Sequence, residues 1–101
     1  MRSITVHQLK DVVEQGDAVV VDVREPWEFA EGHVPGARPV PLGEVPALVG
    51  ELPADQPVYL VCAVGARSGQ AARWLGQQGF DTVNVDGGTQ DWVAAGYPVE
   101  R

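Results

Sequence analysis

Hydrophobic residues along the chain form short continuous runs, separated by segments in which apolar positions recur at helical spacing. Two of these runs, at residues 18–23 and 57–61, are typical of parallel strands that are buried on both faces. Residues 82–85, in which Thr82 and Asn84 alternate with two valines, predict a third strand. Residues 4–6 predict a further short strand near the N-terminus.

Segments with apolar residues three and four positions apart predict the helices. The first contains Leu9, Val12 and Val13 and ends near Gly16. A second begins at Pro26, because proline suits the first turn of a helix. A third contains Val45, Leu48 and Val49, with Pro46 in its first turn or at a break. The fourth begins near Ser68 and contains Ala71, Ala72 and Leu75. The last spans residues 90–95.

Strands that alternate with helices predict an α/β domain with a mainly parallel sheet and helices on both of its faces. We expect residues 1–101 to form one domain, because this length suits a single core. Residues 32–41 contain three prolines and are predicted to be mostly irregular. Ligands of such sheets bind beyond the carboxyl ends of the strands. Cys62 directly follows one apolar run, and Asp22 and Arg24 lie at the end of another, so these residues belong to the expected functional edge.

Composition and charge exclude several classes of function. Lys and Arg total 7 and Asp and Glu total 14, and the resulting net charge of −7 argues against nucleic acid and anionic membrane surfaces as partners. No apolar run approaches the roughly 20 residues that span a bilayer, and the N-terminus lacks the apolar core of a signal peptide. We therefore expect a cytoplasmic protein. The single cysteine excludes an intrachain disulfide and a metal site of several thiolates.

Cys62 stands in a setting that favours reactivity. A turn of small residues follows it, and Gly65 lets the backbone curl so that successive N–H groups point inward, as in an anion site. Arg67 and the N-terminus of the helix near Ser68 would add positive charge, which lowers the pKa of a thiol. The alternative is that Cys62 is a small buried hydrophobic residue and that Arg67 forms only a structural salt bridge.

Four motifs occur along the chain in a specific order. They are Asp22-Val23-Arg24-Glu25 with Glu28-Phe29, then Gly32-His33-Val34-Pro35-Gly36-Ala37, the loop Cys62-Ala63-Val64-Gly65-Ala66-Arg67-Ser68, and Gly87-Gly88 followed by Trp92, Gly96 and Pro98. The loop matches the pattern Cys-x-x-Gly-x-Arg-Ser. Together the motifs resemble those of the single-domain rhodanese family, over nearly the whole chain. The resemblance implies a three-layer α/β/α fold with a mainly parallel central sheet, and sulfurtransferase activity.

The resemblance also implies catalysis through a persulfide on Cys62. The thiolate would take the outer sulfur of thiosulfate or of a persulfide donor, and a thiol or cyanide acceptor would then remove it, with no metal and no organic cofactor. The residues expected to bind the sulfur substrate are Ala63, Val64, Gly65, Ala66, Arg67 and Ser68. Asp22 and Arg24 are interpreted as an ion pair that supports the loop. Because no second thiol is present, the sulfur must leave to another molecule.

Two other functions stay open. A sulfur-relay module would carry the persulfide between partner proteins, and the small or apolar side chains of Ala63, Val64 and Ala66 favour it because they would bind thiosulfate weakly. Related phosphatases and arsenate reductases resemble this family but have a loop that is one residue longer and fits a tetrahedral phosphate. The six residues from Cys62 through Arg67 favour sulfur.

The remaining polar candidates have simpler interpretations. His33 is predicted to be structural, because a thiolate of low pKa needs no general base. Glu25, Glu28 and Glu31 are predicted to form a solvated acidic cluster, with a basic partner protein as the alternative.

Overall fold

The computed structural model describes residues 1–101 and contains five strands and four α-helices. The strands are β1 (Arg2–Ile4), β2 (Val19–Asp22), β3 (Arg38–Pro39), β4 (Val58–Val61) and β5 (Thr82–Val85), and the helices are α1 (Val6–Glu14), α2 (Pro26–Glu31), α3 (Ala66–Gln77) and α4 (Gly88–Ala94), with a 3-10 segment at Leu42–Glu51. Every pair of neighbouring strands is parallel, in the order β1-β5-β4-β2-β3. This confirms the predicted α/β fold with its parallel sheet. No helix has both the length and the apolar character needed to cross a membrane.

Strand β4 lies at the centre of the sheet, between β5 and β2. Its Leu60 is paired with Val21 on one side and with Asn84 on the other. A parallel strand in this position is covered on both faces, which explains why β4 is a continuous apolar run. The carboxyl ends of the three strands therefore meet at one edge of the sheet, and Cys62 follows β4 at that edge.

A separate hydrophobic cluster fills each face of the sheet, because successive side chains along a strand point to opposite faces. One cluster packs α3 and the 3-10 segment against the sheet, and the other packs α1 and α4. The first includes Val21, Leu60, Ala71, Leu75 and Val45, and the second includes Leu9, Val20, Val61, Val85 and Trp92. The molecule therefore has the three layers expected of an α/β/α fold.

The N-terminal strand ends earlier than predicted, because Thr5 begins helix α1. The Thr5 hydroxyl accepts a hydrogen bond from the Gln8 N–H at 3.2 Å, and the Thr5 N–H donates to Gln8 Oε1 at 2.9 Å. This reciprocal pair of bonds is a capping box, which fixes the start of a helix. The predicted strand at residues 4–6 is therefore wrong for Val6, whose side chain is buried from the first turn of α1.

The predicted irregular segment, residues 32–41, contains the short edge strand β3. This strand pairs with β2 through Val21 opposite Arg38 and Asp22 opposite Pro39. A proline is tolerated here because an edge strand needs no N–H on its outer side. The hydrophobic pattern missed β3, because two residues are too few to show any alternation.

Candidate active site

The turn after strand β4 leads the backbone directly from the sheet into helix α3. Gly65 has φ of 110°, a left-handed conformation that residues with a side chain rarely adopt. Helix α3 therefore begins at Ala66, two residues before the predicted start near Ser68. The side chain of Cys62 is buried, and its sulfur lies inside the curl of this turn.

Helix α4 fixes the backbone of the turn from the other side. Its first N–H groups, on Thr89 and Gln90, donate to the carbonyl oxygens of Cys62 and Ala63 at 2.8 and 3.0 Å. A Cβ atom at Gly88 would lie 2.4 Å from the Cys62 carbonyl oxygen, so only glycine permits this close approach. The second glycine of the predicted motif thus lets α4 bind the turn that follows Cys62.

Neutral hydrogen-bond donors surround the sulfur of Cys62. The Gly65 N–H lies 3.1 Å from Sγ and the Ser68 Oγ atom lies 3.3 Å from it. Burial by itself raises the pKa of the Cys62 thiol, but the Ser68 hydroxyl and the N–H groups of Ser68, Gly65 and Val64 outweigh burial and lower that pKa. The site therefore favours the thiolate, which is the nucleophilic form of cysteine.

Asn84 on strand β5 orients the Ser68 hydroxyl. The Ser68 Oγ atom lies 2.6 Å from Asn84 Oδ1, and the Asn84 amide group donates to the Gly65 carbonyl oxygen at 3.2 Å. A hydroxyl carries one hydrogen, so Asn84 Oδ1 and the Cys62 sulfur are the two acceptors within reach of the same Ser68 donor. Asn84 was not among the predicted site residues. The signal in the sequence is a polar amide between the two valines of the predicted strand at residues 82–85.

Arg67 makes a two-point ion pair with Glu28 on helix α2. Its Nη1 and Nη2 atoms lie 2.8 and 2.9 Å from the two carboxylate oxygens. The hydrogen bonds from Arg67 lower the pKa of Glu28 to about 2, and the carboxylate raises the pKa of Arg67. The prediction of a solvated cluster is therefore wrong for Glu28, whose side chain is only 14% exposed, whereas Glu25 and Glu31 are exposed.

Asp22 and Arg24 form a buried ion pair at the carboxyl end of β2. Arg24 Nη2 lies 2.9 Å from Asp22 Oδ2, and Arg24 Nε lies 3.0 Å from Asp22 Oδ1. Arg24 Nη2 also donates to the Gly32 carbonyl oxygen at 2.9 Å, directly after helix α2. The pair thus connects the sheet to the helix that carries Glu28.

His33 is engaged in contacts that do not involve the sulfur. Its ring stacks on Phe29 with 3.5 Å between the ring centroids, and its Nδ1 atom lies 2.8 Å from the Phe29 carbonyl oxygen. Its backbone exchanges hydrogen bonds with Glu100. These contacts agree with the structural interpretation of His33. No group of three or more His, Cys, Asp or Glu side chains is arranged to hold a metal ion.

A cavity of about 450 Å³ lies beside the turn that follows Cys62, between the end of α2 and the start of α4. Its lining includes Arg24, Ala63, Gln90 and Tyr97. Because Ala63 directly follows Cys62, this cavity offers space for a small molecule next to the reactive turn.

The fold and the cysteine turn define a class of proteins. The family model of the rhodanese-like domain matches residues 5–95, and the chain belongs to this family. A sulfurtransferase of Allochromatium vinosum is 40% identical to this chain over 84 residues, which cover 82% of this chain and 78% of that protein. The thiosulfate sulfurtransferase GlpE of Pseudoalteromonas translucida is 34% identical over 95 residues, which cover 93% of this chain and 90% of that protein.

A solved structure shows the same architecture. The crystal structure of a rhodanese-related protein from Thermoplasma volcanium matches with a TM-score of 0.91 and 35% identity, over 99% of this chain and 98% of that one. Family membership and the names of these relatives support sulfur transfer as the general activity of the chain.

Proposed function

We propose that the chain is a sulfurtransferase in which Cys62 accepts a sulfane sulfur from thiosulfate or a persulfide donor and passes it to a thiol or to cyanide. The observation that carries this proposal is the convergence of the Gly65 N–H and the Ser68 hydroxyl on a thiol whose pKa is lowered. The same curl of residues 63–68 suits the anionic persulfide, because inward N–H groups stabilise negative charge as an oxyanion hole does. We propose the reducing cytoplasm as the compartment, since the thiol must stay reduced.

The proposed reaction has two half-reactions. The Cys62 thiolate attacks the outer sulfur of thiosulfate, a new S–S bond forms, the S–S bond of the donor breaks, and sulfite leaves with its electron pair. When the donor is a persulfide, the leaving group is the donor's own thiolate. An acceptor thiolate or cyanide then attacks the terminal sulfur, and the bond to Cys62 breaks to restore the thiolate. No cofactor takes part, and ping-pong kinetics follow from the covalent intermediate.

The size and charge of the turn support sulfur over phosphate as the group that is transferred. The six residues from Cys62 through Arg67 make a turn one residue shorter than the related phosphatase loop. Arg67 is the single cation in the turn, and Glu28 already pairs with it. A phosphate group carries more charge and volume than a single sulfur atom, and the turn therefore offers it few groups to bind its oxygens.

Intact-mass analysis tests the proposal. Incubation with thiosulfate, and separately with a low-molecular-weight persulfide, should add the mass of one sulfur atom to the wild-type protein and nothing to Cys62→Ser. The double variant Cys62→Ser with Ser3→Cys is the matched control, because it moves the only thiol to an exposed position away from the turn. An unmodified wild-type mass with both donors, together with full transfer activity in Cys62→Ser, would overturn the proposal. Hydrolysis of an aryl phosphate through Cys62 would instead support a phosphatase.

A sulfur-relay role is the second candidate, and exposed apolar side chains beside the turn favour it. Val64 is 56% exposed, and Trp27, which precedes Glu28, is 66% exposed. Apolar and aromatic side chains of this kind are typical of the centre of a protein interface. A relay module should take sulfur faster from a protein-bound persulfide than from thiosulfate, and Val64→Ser should slow only the transfer from the protein. Equal slowing with both donors, or none, would argue against a relay.

A further inference from the structure

Both guanidinium groups beside the catalytic turn are already bound to carboxylates. Arg67 has two contacts to Glu28, at 2.8 and 2.9 Å, and Arg24 is bound to Asp22 at 2.9 Å. The hydrogen-bond donors around the Cys62 sulfur are all neutral. The turn can therefore hold one negative charge on sulfur with dipoles, while its own cation, Arg67, is already paired. Arg101, which lines the adjacent cavity and contacts only the Glu31 carbonyl oxygen, is unaffected by changes at positions 28 and 67.

Glu28 is fixed in place by a second contact. Its Oε1 atom, which accepts a hydrogen bond from Arg67, also accepts one from the Glu25 N–H at 2.9 Å. The carboxylate is thereby held at the first turn of helix α2. The Arg67 side chain is 36% exposed, so an incoming anion would reach it if Glu28 were absent.

We propose that Glu28 determines which charge the site prefers in a sulfur donor. By holding Arg67 in a neutral pair, it withholds the single cation of the turn from the donor, and the site then favours donors with one negative charge over dianionic thiosulfate. This inference rests on the proposed sulfurtransferase function. It makes Glu28 a specificity-determining residue that acts through Arg67 without touching the transferred sulfur.

The proposal has a quantitative form, because the energy between a fixed charge and a donor is proportional to the charge of the donor. One unpaired positive charge about 7 Å away in a water-like medium strengthens the binding of a monoanion by about threefold. The same charge strengthens the binding of a dianion by the square of that factor, or about tenfold. A change of charge at positions 28 and 67 should therefore alter the ratio between the two donors.

The two donors to compare are thiosulfate, a dianion, and methanethiosulfonate, a monoanion with a similar S–S bond. With the first, the Cys62 thiolate takes the outer sulfur and sulfite leaves; with the second it takes the same sulfur and methanesulfinate leaves. The total charge is unchanged in both reactions. Differences in intrinsic reactivity between the donors, and any change in the pKa of Cys62, cancel when the ratio of kcat/KM values is compared between variants.

Four proteins make a charge series around the turn. Relative to the wild type, Glu28→Gln adds one unit of charge, Arg67→Gln removes one, and the double variant restores the neutral total. We expect the ratio of kcat/KM for thiosulfate to that for methanethiosulfonate to rise about threefold in Glu28→Gln, fall about threefold in Arg67→Gln, and return to the wild-type value in the double variant. The rise should come mainly from a lower KM for thiosulfate.

Controls separate charge from structure. Glu51→Gln makes the same change of charge at the end of the 3-10 segment, on an exposed residue outside the cavity, and should leave the ratio unchanged. The effect in Glu28→Gln should fade when ionic strength rises from about 0.02 to 0.5 M, since salt screens the charge. If the pair were only structural, both single variants would slow both donors together.

The outcomes are distinguishable. A flat ratio across the series, or a shift of the same sign in both single variants, would overturn the role of Glu28 while Cys62 still takes up sulfur. If Glu28→Gln does not fold, the threefold rise in the ratio expected from Arg67→Gln to the double variant tests the same point. Failure of Cys62 to take up sulfur from either donor in every variant would overturn the sulfurtransferase function itself, and this proposal with it.

Discussion

Two ion pairs flank the turn that follows Cys62, and they differ in burial. The Asp22–Arg24 pair is buried, whereas the Glu28–Arg67 pair is in partial contact with water. Breaking a buried pair leaves an uncompensated charge in a medium of low dielectric constant, but water can replace the partner of a partly exposed group. The first pair thus stabilises the fold, whereas a substitution in the second pair can change the charge of the site with little loss of stability.

Loss of the buried pair should have the largest effect on stability. Asp22→Asn leaves the guanidinium group of Arg24 without its carboxylate, and we expect the free energy of unfolding to fall by about 3 kcal/mol. Urea denaturation measures this change. Asp17→Asn, which removes an exposed carboxylate just before strand β2, should change the free energy by less than about 0.5 kcal/mol. Equal losses in the two variants would mean that burial does not distinguish Asp22.

The neutral donors should matter more for the thiolate than the exposed pair does. Ser68→Ala removes the hydroxyl that lies 3.3 Å from the Cys62 sulfur, so the pKa of Cys62 should rise and sulfur uptake at pH 7 should slow several-fold. Titration of the thiolate absorbance measures the pKa. The double variant Glu28→Gln with Arg67→Gln should shift that pKa less, because its total charge matches the wild type. A larger shift of the Cys62 pKa in the double variant than in Ser68→Ala would mean that the ion pair matters more for the thiolate than the neutral donors do.

The partly exposed pair should contribute only a small and pH-dependent part of the stability. Pairing lowers the pKa of Glu28 from its ordinary 4.5 to about 2, so the stabilisation is complete above about pH 5 and is lost as the pH falls through 2. At pH 7 Glu28→Gln should lower the free energy of unfolding by less than about 1 kcal/mol, and its difference from the wild type should shrink below pH 4.5. Denaturation across this pH range checks both statements. A difference that does not depend on pH would contradict them.

The predictable part of this molecule is the part encoded by local pattern. Strands β2 and β4 lie in predominantly apolar runs because the centre of a parallel sheet is covered on both faces, and β5 was recognised by its alternating valines. Cys62 follows one of these runs, so the position of the thiol at the edge of the sheet could be predicted from the pattern alone. Gly65 and Arg67 mark the turn in the same local way.

The unpredicted part depends on contacts between distant segments. Glu28 and Arg67 are 39 positions apart, and no periodicity connects them. Their pairing follows from the fold, because helix α2 and the turn both follow carboxyl ends of neighbouring strands. Asn84 was missed for a similar reason, since its partner Ser68 lies 16 positions away. Strand β3 was missed because Arg38 and Pro39 show no strand pattern until β2 is beside them.

The bonds from α4 to the carbonyl oxygens of Cys62 and Ala63 have a consequence for how this site can evolve. They hold the main chain of the turn, so the turn cannot open without breaking its bonds to the first N–H groups of α4. The side chains of Ala63 and Val64 take no part in these bonds. Substitution at these two positions can therefore change the surface that a substrate or partner contacts, while the Cys62 sulfur keeps its position. A rigid frame with two replaceable side chains lets related proteins diversify their partners without rebuilding the chemistry.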